Sequence, residues 1–191
     1  MNNSKNIFLL QLLVGIVLIA AIFLFLKNNK ERSDSMKSTY EKNSMKSTYE
    51  KNKEILNKYF DGWEKENIEI IRNSLTKDYV GYNYPIMNPK GISFTKKELI
   101  EDWENRFEDV DMEYGHTIFL PGIDTINLDL DGSVRVYSAL SLSINNKKID
   151  MSFYGTYDFR NDSIYESHEF FDFGGLMQEM RGAFEQGDSI K

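Results

Sequence analysis

His168 and Asp172 share strand parity with Ile164, Glu166 and Phe170, so an extended backbone would send these side chains to one face. A histidine beside a carboxylate in an apolar enclosure can pass a proton to or from a ligand, because burial and a neighbouring charge tune both groups. His168 and Asp172 are therefore the candidate catalytic pair, and a hydrogen-bonded structural pair is the competing reading. Glu166 with His168 lacks a third ligand in the sequence, so no metal is expected. A second set is aromatic. Tyr59, Trp63, Tyr82, Trp103, Tyr137 and Tyr154 combine an apolar body with a polar tip, which suits the wall of a ligand pocket and equally a filled core. Residues 127–132 imitate the opening of a calcium loop, but its twelfth position is Ser138 and its flanks alternate as strands, which excludes that site. No phosphate loop, HExxH or GxSxG motif occurs, and no cofactor is expected.

Composition narrows the classes further. The 191 residues carry 30 acidic and 23 basic side chains, no Cys and 2 His, which removes disulfides, thiolate metal sites and cysteine nucleophiles. Residues 1–50 hold 7 basic and 4 acidic groups, whereas residues 51–191 hold 16 and 26. So acidic a body repels polyanions, and no nucleic acid partner is expected.

The N-terminal part reads as an anchor. After a short flank at residues 1–6, residues 7–26 carry no charge, and as a helix they would span roughly 30 Å, one hydrocarbon core. A cleaved signal is the rival, but the apolar run continues through Ile22, Phe23, Leu24, Phe25 and Leu26 past the small pair Ala20-Ala21. A single-pass cell-membrane protein is expected, bound to the lipid bilayer through residues 7–26. Lys27, Lys30, Arg32, Lys37, Lys42 and Lys46 place the body on the cytoplasmic side. Residues 27–44 form the stalk. A nine-residue tandem repeat, SMKSTYEKN, fills 35–43 and again 44–52, and nine residues turn a helix by 900°, so the copies face opposite ways. Met45, Tyr49, Asn52, Leu56, Tyr59 and Trp63 follow 4-3-4 spacing, so the folded body is expected over 45–181, followed by a tail at 182–191.

Within the body, Leu56 and Phe60, then Ile68, Ile71 and Leu75, then Leu99, Ile100, Trp103 and Phe107 mark three amphipathic helices. Thr95 and Glu98 form a capping box at the third. Residues 81–91 read as turns. From residue 114 the period becomes two, predicting strands at 114–120, 126–130, 134–144, 149–159 and 164–173 and a terminal helix at 176–184. Asp131-Gly132 is a hairpin signal. Helices followed by an antiparallel meander predict an α+β domain.

Lys58-Tyr59-Phe60-Asp61-Gly62-Trp63, the helix at 67–75 with Thr76-Lys77-Asp78-Tyr79-Val80, and the closing hairpin Tyr157 to Asp162, Ser163-Ile164-Tyr165-Glu166, Phe171-Asp172 resemble the nuclear transport factor 2-like superfamily and its SnoaL-like domains. The resemblance spans about residues 50–181. It implies a cone-shaped curved antiparallel sheet packed by the N-terminal helices around an apolar pocket. It also implies a homodimer through the exposed sheet face. Members include isomerases, cyclases, dehydratases, and transport and adaptor modules. The acid that cyclase-type members carry would fall at Gly155, and their histidine after the glutamate of the last strand at Ser167, with His168 one place later. The expected role is therefore a membrane-held module that binds a small ligand or a protein. The alternative is a cofactor-independent isomerase, cyclase or lyase working by acid–base catalysis on a small apolar ligand.

Overall fold

The computed structural model describes residues 3–85 and 88–188, except for the side chains of 3–22, 40–42 and 186–188. The chain divides into two compact units, Met1–Ser44 and Met45–Lys191. Helix α1 runs from Asn3 to Glu64, so the expected stalk is helical throughout. The expected membrane span at 7–26 lies, up to residue 22, outside the described side chains. Among the described residues no helix is long and apolar enough to cross a membrane.

The second unit continues with α2 (Ile68–Ser74), β1 (Leu75–Asn83), β2 (Ile92–Thr95), α3 (Lys96–Glu104), β3 (Val110–Ile123), β4 (Leu130–Ile144), β5 (Lys147–Arg160), β6 (Ser163–Phe170) and α4 (Phe173–Asp188). This is an α+β unit with one curved six-stranded sheet in the order β2-β1-β6-β5-β4-β3. Every pairing is antiparallel except β1 with β6. That parallel pair corrects the expected wholly antiparallel sheet: the meander returns β6 beside β1, which the turn-like residues around 81–91 had concealed.

Local chemistry explains the element ends. The side chain of Asn67 accepts from the Ile70 amide and starts α2. At α3 the Glu98 amide donates to Thr95 Oγ1 and the Thr95 amide to Glu98 Oε2, completing the capping box. Asn145-Asn146 and Asn161-Asp162 all have positive φ and close the two hairpins around β5. The third turn departs from expectation. Asp124 Oδ1 accepts from the Ile126 and Asn127 amides, so the chain turns there, and Asp131-Gly132 falls inside β4. Ile126 and Leu128, expected in a strand, instead sit at the tip, 93% and 76% exposed.

The core lies between α1 and the concave face of the sheet. Leu56, Tyr59, Phe60 and Trp63 bury themselves against Val136, Leu142, Tyr157 and Ile164. Burying each large apolar side chain contributes about 1.5–3 kcal/mol. Phe60 stacks on Tyr114 with centroids 4.4 Å apart. In the second repeat copy Tyr49 is buried, and Asn52 Nδ2 donates to the Gly132 carbonyl. The last strand ends at Phe170 rather than at 173, and helix α4 begins at Phe173, so Gly174-Gly175 belong to its first turn. It also buries Ala183, two residues past the expected end of the body.

Candidate ligand-binding site

Between the sheet and helices α1, α3 and α4 lies a cavity of about 270 Å³. Met112, Leu140, Leu142, Met151 and Phe153 form its floor on β3, β4 and β5, and Met177 and Met180 come from α4. Trp63 and Trp103 meet edge to face in its wall, 4.9 Å apart. An apolar enclosure of this kind is the usual form of a small-molecule site.

Its polar groups are few. Asn83 on β1 and Glu169 on β6 are directly paired across the parallel ladder, and both side chains line the cavity. Tyr157 donates its hydroxyl to Glu169 Oε1 over 2.8 Å. Its ring crosses Gly155, where a Cβ would sit 2.7 Å from Tyr157 Cε2. Glycine at 155 thus makes room for the tyrosine that holds Glu169, in place of the acid expected there by resemblance. Asn83 Oδ1 is buried and has no hydrogen-bond partner among the described residues. At one side of the cavity Arg106 donates twice to Asp102, at 2.8 and 2.9 Å.

Burial raises the Glu169 carboxyl above its ordinary pKa, and the Tyr157 hydrogen bond opposes that only in part. Tyr157 and Tyr114 are pushed up by burial and then by the charge of Glu169. Tyr59 is raised by burial, then by Tyr79 and Glu169. The phenols stay neutral, so the carboxyl has hydroxyls and rings about it, and the guanidinium that lines the cavity, Arg106, is bonded to Asp102.

Of the aromatic residues expected at a pocket, Tyr59, Trp63 and Trp103 line the cavity. Tyr82, Tyr137 and Tyr154 do not. They stand on the other face of the sheet, where Tyr82 stacks on His168 at 4.8 Å and Tyr137 lies tilted against Tyr154 at 4.8 Å. His168 is outside the cavity too, bonded through Nε2 to Glu166 at 2.9 Å and through Nδ1 to the Tyr84 hydroxyl at 2.6 Å. Asp172 lies beyond β6 and accepts from the Gly175 amide at the start of α4, at 2.9 Å. The structure thus gives His168 and Asp172 different hydrogen-bond partners, and neither lines this cavity. The cause is an irregularity in β6. Ile164 pairs with Phe159 but Glu166 with Asp158, so the alternation shifts after Ile164. Ile164 and Ser167 are both buried, and the cavity receives Glu169. Sequence reasoning missed Glu169 and Asn83. The alternation of Ser167, Glu169 and Phe171 was the signal for Glu169, whereas Asn83 lay among residues that read as turns. Among the described residues no group of three or more His, Asp or Glu is placed to hold a metal.

No family model matches the sequence and no curated protein matches it. Solved structures do. An LEH-like epoxide hydrolase of M. tuberculosis superposes with a TM-score of 0.51 at 12% identity, over 74% of this chain and 97% of that one. A phenazine biosynthesis-related protein from Pseudomonas aeruginosa gives 0.56 at 14% identity, over 73% and 90%. An NTF2-like protein of unknown function from Burkholderia pseudomallei K96243 gives 0.54 at 12% identity, over 68% and 97%. At such identities the likeness is one of fold.

Proposed function

Since this chain has the nuclear transport factor 2-like fold, we propose that its cone is a receptor for one small, mostly apolar molecule whose polar end bonds to Glu169. The observation that carries this is a half-buried carboxyl in a cavity of about 270 Å³; among the described residues Tyr157 alone donates to it, and the Asn83 oxygen, which also lines the cavity, has no partner. Buried polar groups left without partners are costly, and a ligand relieves that cost. Native mass spectrometry of the full chain tests the reading. A small molecule should co-purify with the wild type and be lost from Met151→Trp, which fills the floor. Equal ligand mass on both proteins would contradict it.

A second reading has Glu169 take a proton from the bound molecule, as a cofactor-independent isomerase, cyclase or lyase would require. A desolvated carboxyl of raised pKa beside neutral phenols favours it. Glu169→Gln should then abolish turnover of any substrate found while binding survives.

The membrane and dimer readings stand beside these. Phe23, Leu24, Phe25 and Leu26, the described end of the apolar run, are all more than 60% exposed, which supports an anchor. The outer sheet face carries Tyr137 and Phe170, 50% and 42% exposed, which supports pairing of two copies there. Carbonate extraction and sedimentation of the purified chain test the two.

A further inference from the structure

Resting on the reading that the cavity binds a small molecule, we propose that its ligand is an apolar amine, held as the ammonium cation with its nitrogen between Glu169 and Asn83. The polar groups at this end of the cavity call for a donor. Glu169 offers Oε2, since Tyr157 occupies Oε1. Asn83 offers a buried Oδ1 with no partner among the described residues. The two residues are register partners on neighbouring parallel strands and both line the cavity, which places them side by side at one end of it.

Charge points the same way. The residues lining the cavity include two carboxylates, Glu169 and Asp102, and one guanidinium, Arg106, which is already matched to Asp102. No Lys or His is among them. An anionic ligand would bring a second negative charge beside a desolvated carboxylate, and a neutral one would leave that carboxylate without a counter-charge. An ammonium supplies the charge and up to three donors. The rings of Tyr59, Tyr114, Trp63 and Phe153 present faces and edges to the same space, and aromatic faces attract cations. At about 270 Å³ the cavity lies near the lower end of small-molecule sites, roughly 300–1,000 Å³, which suits a molecule of arylalkylamine size.

The chain's 2 Trp, Trp63 and Trp103, both line the cavity, so intrinsic fluorescence reports its occupancy. The full-length protein is titrated with 2-phenylethylamine, 2-phenylethanol and 3-phenylpropanoate. The amine should bind at least tenfold more tightly than the alcohol, and the carboxylate more weakly than either. Glu169→Gln should bring amine and alcohol to parity. Alcohol or carboxylate binding as tightly as the amine, or a tenfold amine preference that survives Glu169→Gln, would overturn the amine assignment and leave the binding reading standing. No fluorescence response to any of the three would overturn both.

Discussion

Tyr157 and Glu169 are joined across β5 and β6 by a hydrogen bond of 2.8 Å from the phenol to Oε1. Among the described residues it is the one side-chain hydrogen bond to this carboxyl, which burial makes costly to ionise. Tyr157→Phe should therefore lower the stability of the fold by about 1–3 kcal/mol, the cost of leaving a buried acceptor unpaired. Urea unfolding measures the loss, and carbon NMR of the Glu169 carboxyl should show its titration moving further upward. An unchanged midpoint in both experiments would mean that the bond contributes nothing.

Gly155→Ala should act through the same bond. Its new Cβ would lie 2.7 Å from Tyr157 Cε2 and 3.1 Å from the hydroxyl, so the ring must leave its place. Overpacking of this kind costs about 1–3 kcal/mol. In a double-mutant cycle the effects of Gly155→Ala and Tyr157→Phe should sum to more than the double variant loses. Strict additivity would show that the glycine serves something other than the tyrosine.

The pH dependence follows from the direction of the Glu169 shift. Burial raises its pKa in the folded chain, so the folded state holds that proton more tightly than the unfolded state. The stability this contributes is full below the ordinary glutamate value, about 4.3, and is lost as pH rises through the raised folded value. The groups facing the carboxyl are Tyr59 on α1, Tyr79 on β1, Tyr114 on β3 and Tyr157 on β5, all neutral in this range. The Arg106–Asp102 pair lines the same cavity. Glu169→Gln should thus be more stable than the wild type at pH 7, with the gap narrowing toward pH 4. A gap that widens on acidification would reverse the sign of the shift.

The tandem repeat offers an internal control. Asn52, in the second copy, is buried and donates to the Gly132 carbonyl at 2.8 Å, while its counterpart Asn43 is exposed. Asn52→Ala should cost about 1–2 kcal/mol, and Asn43→Ala should stay within about 0.5 kcal/mol. Thermal melts of both variants separate them, and equal losses would deny the second copy its special place.

These residues also show how far the sequence was readable. The α1 stripe through Leu56 and Trp63, the Thr95–Glu98 box and the alternation after residue 134 follow periodicities that local chemistry enforces, and each became the element expected. Strand β1 was hidden because it lies among Gly81, Asn83 and Pro85, residues that elsewhere signal turns, and because its partner β6 is distant in sequence. The turn at Asp124 competed with Asp131-Gly132, and a side-chain bond to two amides decided it. For the site, the aromatic wall of Tyr59, Trp63 and Trp103 was legible from helical spacing. Glu169 was not, since the shift in alternation after Ile164 depends on pairing with β5. A strand reading without that shift gives His168 the place that Glu169 holds.

A crystal structure of the full chain as purified from its own cells tests the account at its centre, by the density next to Glu169 Oε2. The account predicts a non-protein molecule there, its polar atom within hydrogen-bonding distance of Glu169 and Asn83 and its body against Met151 and Trp103. A cavity filled by ordered water alone, or closed by its own side chains over Glu169, would contradict it.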